Sequence, residues 1–248
     1  VELFNQIKPE FLIHLGDIYQ KPILEDIDAI DSFNNNLSFP VFNAIGNHEY
    51  GTGKNYEIEN YKKDFSDTFF SFSIGNSLFL VVDSQQYRKY SMEAEQHKFV
   101  ISEINKFKYS EQLKNLFILS HHLIWAASSE YFSEVIKLSN APYHHSGKFS
   151  EWKSIIDSFD ELTADKNVFF LSGDVGLKSS IPYFYEEDPR GNRTYLATGV
   201  GDTEDDSILI GAIDSDNKVS FHPLKLGDKN IKHYGLNYWS KIHPRLAL

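Results

Sequence analysis

Four points in the sequence place metal-holding residue types directly after an apolar run. "FLIHL" at 11–15 is followed by Gly16-Asp17 and "PVFNAI" at 40–45 by Gly46-Asn47-His48-Glu49. "NLFILS" at 115–120 is followed by His121-His122, and "NVFFLS" at 167–172 by Gly173-Asp174-Val175-Gly176. Apolar runs of this length read as buried strands, and open α/β sheets keep their ligand sites at the carboxyl ends of strands. Side by side, the four ends offer a carboxylate (Asp17), an amide oxygen (Asn47), an imidazole (His121) and a second carboxylate (Asp174). Oxygen and imidazole donors without thiolate suit a divalent ion such as Mn²⁺, Fe or Zn²⁺, and a carboxylate can bridge two of them. Two ions about 3.5–4 Å apart clamp a phosphoryl oxygen and generate a hydroxide nucleophile for an in-line displacement. His48, next to a ligand but not itself one, is then placed to stabilise phosphoryl charge or protonate the leaving oxygen, since imidazole titrates near neutrality.

The other histidines divide by context. His14 lies inside an apolar run and reads as a hydrogen-bonded core residue, and His97, on a polar helix, reads as solvated. Of the pair at the end of 115–120, His121 comes first after the strand and is the ligand candidate; His122 points elsewhere. His144 and His145, in "NAPYHHSGKF", fall on the side where strand ends collect and are candidate substrate contacts. Lys54, in the Gly-rich turn "GTGKNY", reads as a solvated lysine rather than a phosphate contact.

These residues need a scaffold of strands linked by helices, and the chain supplies the pattern. Helical periodicity covers 56–65, 92–107 and 149–162, and "FFSFSIGNSLFLVVDS" reads as a hairpin turning near Gly75-Asn76. "TYLATGVGD" and "SILIGAIDSDNKVSFHPLKL" read as a β-rich closing sheet with a turn near Asp216-Asn217. The length of 248 residues fits one large α/β domain, over 1–225, with 226–248 as a C-terminal extension. Twenty-four Lys+Arg against 35 Asp+Glu leave a net charge of −11, which opposes binding to a nucleic-acid backbone. No apolar run is long enough to span a membrane. Without cysteine, neither disulfides nor thiolate metal sites form, which fits the cytosol and the cell exterior equally well. The opening "VELFNQIKPE" reads as the end of an amphipathic helix in an N-terminally incomplete chain.

The order of "GD" at 16–17, "GNHE" at 46–49, "H" at 121 and "SGDVG" at 172–176 resembles that of the calcineurin-like metallophosphoesterases. The hairpin, the Gln-containing helix before "FILSHH" and "TYLATGVGD" resemble that family too, so the likeness covers most of residues 8–225. It implies a four-layer α/β sandwich, two mixed β-sheets flanked by helices, with the first strand missing here. It also implies that Asp17 bridges two metal ions, that Asn47 and His121 bind the second, and that His48 is the catalytic acid. Two departures stand out: nothing before Asp17 matches the family's opening Asp-x-His, and Gly-Asp-x-Gly replaces the usual Gly-His-x-His. Asp174 can replace the first histidine, but Gly176 has no side chain to replace the second, and a carboxylate-rich shell favours harder ions such as Mn²⁺.

The resemblance therefore implies hydrolysis of a small phosphomonoester or phosphodiester by a metal-bound hydroxide. Two ions belong to the complete protein and one to this stretch. The alternative is a catalytically weak relative, with one metal or none, that binds a phosphorylated ligand or partner.

Overall fold

A computed structural model describes residues 2–19, 24–50, 55–65, 67–85, 94–128, 132, 150–163, 165–175, 183–188, 191–199 and 207–225. Its centre is a six-stranded mixed sheet in the order β3-β4-β5-β6-β8-β7. The strands are β3 (Phe70–Ile74), β4 (Ser77–Val81), β5 (Asn115–Ser120), β6 (Asn167–Ser172), β7 (Tyr183–Glu187) and β8 (Arg193–Thr198). Strands β4, β5, β6 and β8 run parallel, and β3 and β7 pair antiparallel at the two edges. Every residue of β4 and β5 is buried, as the near-continuous apolar runs of strands covered on both faces require.

The pleat sends alternate side chains of these strands to opposite layers. Leu78, Leu80, Leu116, Ile118, Val168 and Phe170 face one core, closed by helices α5 (Ala94–Tyr109) and α6 (Ser150–Asp157) through Val100, Ile104, Phe107, Trp152 and Ile156. Phe79, Val81, Phe117, Leu119 and Phe169 face the other. There Phe72, Phe79, Phe117 and Phe169 are register partners on four adjacent strands and stack at centroid spacings of 4.9, 4.6 and 4.8 Å.

A second β layer rests on this ladder. Strands β1 (Leu12–His14) and β2 (Val41–Asn43) form a parallel pair at one end, with Phe11 edge-on to Phe79 and Phe42 stacked on Phe72. Strands β9 (Ser207–Ile213) and β10 (Val219–Lys225) form an antiparallel pair at the other end, with Phe221 edge-on to Phe169. Helices α1 (Glu2–Ile7) and α2 (Leu24–Asn35) lie outside it, where Phe33 meets Phe4 and His14. The layers thus alternate as expected: helix, sheet, strands, helix.

The hairpin over 70–81 turns at Gly75-Asn76 and helix α4 (Asn55–Asp64) falls where periodicity puts it. One expectation changes. "TYLAT" is no part of a closing sheet: β8 is interior to the central sheet, between β6 and β7. Residues 183–187, assigned no strand from the sequence, form strand β7, because the aromatics of "YFYEE" suit an edge strand. Residues 226–248 lie outside the described residues.

One buried charge ties the first core together. The Lys166 ammonium donates to the carbonyls of Phe107, Ser110 and Leu113 at 2.8, 2.6 and 2.9 Å, finishing the C-terminus of α5, and lies over the Phe107 ring. Helix ends leave such carbonyls without intrahelical partners, and a cation there also meets the negative end of the dipole. Burial lowers the Lys166 pKa, yet the three acceptors fix it in place. Lys166→Met, which leaves them unsatisfied, should cost about 2–3 kcal/mol, read as a lower urea midpoint; an unchanged midpoint would show that water replaces the ammonium freely.

Candidate metal centre and active site

The carboxyl ends of β1, β2, β5 and β6 meet in one place because the loops that leave them touch backbone to backbone. After β1 the chain turns through two left-handed residues, Gly16 (φ +87°) and Asp17 (φ +54°), the second tolerable for an aspartate. A Cβ on Gly16 would lie 2.6 Å from His121 Nδ1. One on Gly46 would lie 2.4 Å from the Asp17 amide nitrogen and 2.3 Å from its Oδ1, so only glycine lets the second loop pass the first.

Glu49 locks these loops together. Its fully buried carboxylate accepts the backbone N–H groups of Asp17 and Ile18, each at 2.8 Å, and of Gly46 at 2.6 Å. Residues Asn47–Tyr50 form one helical turn, helix α3, from which the His48 N–H donates to Asp17 Oδ1 at 2.9 Å. Burial raises the Glu49 pKa, and the Asp17 charge adds to it against the opposing N–H donors.

Three sequence-predicted donors converge on one point. His121 Nε2 lies 3.2 Å from Asp17 Oδ2 and 3.1 Å from Asn47 Oδ1, while its Nδ1 meets the Leu15 carbonyl at 2.8 Å. That carbonyl only accepts, so the Nδ1 proton is fixed and Nε2 is the coordinating atom, the usual support of a metal-binding histidine. Asp174 joins through β5: its N–H donates to the His121 carbonyl at 2.9 Å. One ligand atom each from His121, His122 and Asp174 lies within 4.8 Å of the others. His48, partly open to solvent, presents Nε2 3.7 Å from Asp17 Oδ2. His144, His145 and Lys54 lie outside the described residues.

Charge follows from this geometry. Burial opposes ionisation of Asp17, but the hydrogen bond and charge of His121, with the N–H and charge of His48, outweigh it and lower its pKa. Burial likewise opposes a charged His121, and the bond to Asp17, the charges of Asp17 and Asp174 and the Leu15 carbonyl push it up to about 9. A proton therefore sits where the donors converge, and a divalent ion would displace it. Two oxygens and an imidazole nitrogen gathered around one cationic position fit a divalent ion in donor type.

Sequence reasoning missed the residues that support this set. Glu49 stood in the quoted motif without a role. Asp83 also follows an apolar strand, β4, and its signal was the same as that of the other four ends. It accepts Tyr50 Oη–H at 2.6 Å and the Gln85 N–H at 2.9 Å, while Gln96 of α5 holds its backbone at both N–H and carbonyl. His122, expected to point elsewhere, is buried beside His121 with Ser84 and Gln85 on its ring nitrogens, and one of its ligand atoms still falls within 4.8 Å of those of His121 and Asp174.

Residues 1–141, more than half of the chain, match the calcineurin-like phosphoesterases, and the chain belongs to that family. No curated protein shows significant similarity to it. The family acts on phosphate esters and implies divalent metal ions, and the His/Asp group at the strand ends can hold one. Among the described residues no helix is long and apolar enough to cross a membrane.

Glu49→Gln keeps the side chain's shape but turns one acceptor into a donor facing backbone N–H groups. It should lower stability by about 2–3 kcal/mol and weaken divalent-ion binding, because Asp17 loses its anchor. Urea titration and calorimetric ion binding measure the two, and a variant normal in both would show that the loops hold without the clamp. Gly46→Ala should cost roughly 3 kcal/mol or more, since the clash is with backbone; a wild-type melting temperature would contradict the close approach.

Proposed function

We propose that the chain hydrolyses a small phosphomonoester or phosphodiester, with Asp17, Asn47, His121 and Asp174 holding a divalent ion and His48 acting as general acid. The observation that carries this reading is the convergence of Asp17 Oδ2 and Asn47 Oδ1 on His121 Nε2. These residues would hold an ion whose chemistry, when bound, would be to polarise a phosphoryl oxygen and to make water nucleophilic near neutral pH. Three oxygen donors against one imidazole favour a hard ion, Mn²⁺ before Zn²⁺.

The protein's own side chains divide the remaining work. Asp17 sits between His121 and His48, within reach of both rings. Its Oδ2 lies 3.7 Å from the His48 ring nitrogen, and its Oδ1 accepts the His48 backbone N–H. His48 borders the ligand set and faces solvent in part, as a group must that gives a proton to a departing alkoxide. The Leu15 carbonyl keeps the ligand nitrogen of His121 pointed at Asp17 and Asn47.

Hydrolysis of nitrophenyl phosphate and bis-nitrophenyl phosphate with added Mn²⁺ tests the activity and separates monoesterase from diesterase. No turnover of either, with an ion bound, would favour a binding domain for phosphorylated ligands. His48→Asn should lower kcat about 10²–10⁴-fold with metal content unchanged; loss of metal together with activity would make His48 a ligand instead. Asp174→Ala should lower metal content, and full occupancy would remove Asp174 from the set.

A further inference from the structure

We propose that His122 is a further ligand of the divalent ion, binding through Nε2 beside His121 and Asp174. This rests on the reading above that an ion occupies the strand ends, and it extends the ligand set to a residue the sequence motif passes over.

The hydrogen bonds around the ring assign its tautomer. The Gln85 amide nitrogen, which can only donate, lies 3.1 Å from His122 Nε2. Nε2 must then carry the lone pair, and the ring proton sits on Nδ1, 2.8 Å from Ser84 Oγ. Ser84 Oγ also accepts the His122 backbone N–H at 3.1 Å, so it is fixed to the same residue twice. His121 is held the same way, by Nδ1 on the Leu15 carbonyl with Nε2 directed inward. Two consecutive histidines thus have Nδ1 anchored, which leaves Nε2 as the coordinating atom of each, the outer-shell arrangement that prepares imidazole for a metal.

Position and burial agree. The two rings meet edge to face at 4.9 Å, and their ligand atoms fall with that of Asp174 inside a 4.8 Å group. His121, His122 and Asp174 are 2%, 3% and 8% exposed, so an ion there would be shielded from water on their side. A purely structural histidine would also have both nitrogens bonded. The difference lies in the partner of Nε2, a glutamine amide on a rotatable side chain that an ion can displace without disturbing the Ser84 anchor. The second imidazole also raises the nitrogen share of the shell and moves preference towards Zn²⁺.

The test is isothermal titration of the metal-stripped chain with Mn²⁺ and with Zn²⁺, the fold checked by circular dichroism. His122→Gln should bind Zn²⁺ at least ~10-fold more weakly and shift the Zn²⁺/Mn²⁺ preference towards Mn²⁺. Gln85→Ala, which removes the competing amide, should bind several-fold more tightly. If His122→Gln binds as wild type does, or if Gln85→Ala gains nothing, His122 is a core residue and the inference is wrong. Gln85→Ala decides alone if His122→Gln does not fold. A wild-type chain that binds neither ion overturns this inference and the metal reading together. One that binds an ion without hydrolysing esters bears on the function and leaves His122 in place.

Discussion

The site depends on one carboxylate that lies outside the candidate ligand set. Glu49 sits at the crossing of the loops after β1 and β2 and takes three backbone N–H groups, two from the first loop and one from the second. Backbone donors have no rotamers to search, so a buried acceptor that satisfies three of them fixes relative position as well as energy. The crossing also requires Gly46, since a Cβ there would enter the Asp17 backbone. Asp17 in turn holds the His48 N–H and meets His121. Position passes from Glu49 to Asp17 and from Asp17 to the candidate acid and ligand.

The larger architecture supplies what Glu49 cannot: it brings two layers to the same end. Asp17 and Asn47 follow strands of the second β layer, while His121 and Asp174 follow central strands of the six-stranded sheet. The donor set therefore straddles the interface between layers, and the in-register phenylalanines fix their separation. Phe79 and Phe169 receive Phe11 and Phe221 edge-on, at 5.1 and 5.6 Å. Aromatic contacts of this kind have preferred geometries and add to area burial.

The sequence made the strands and the polar residues at their ends legible because both are local signals. "NLFILS" and "NVFFLS" are strands by their own composition, and Asp17, Asn47, His48, His121 and Asp174 follow directly from strand ends. What it hid was relational. Nothing in "GNHE" says that its last residue binds the loop of Asp17, 32 positions away. Nothing in "SHH" says that the second histidine is turned to Ser84 and Gln85 at the end of another strand. Strand β7 was hidden for the same reason, because an edge strand is defined by its pairing with β8. Lys166 looks like a surface lysine until the end of α5 is seen to need it.

Charge balance shows why this arrangement calls for a cation. Asp17 and Glu49 share the crossing, where the Asp17 charge disfavours ionisation of Glu49, and Asp174 adds its field at His121. Without an ion, His121 answers by holding a proton up to about pH 9, against the cost of charging a buried ring. That proton carries one charge and occupies the lone pair that would otherwise coordinate. A divalent ion brings twice the charge to the same point and takes the lone pair as a ligand, so it relieves the carboxylates better than the proton does. Two imidazoles with anchored Nδ1 atoms, set beside the carboxylates of Asp17 and Asp174, form an environment that can hold the divalent ion the family implies.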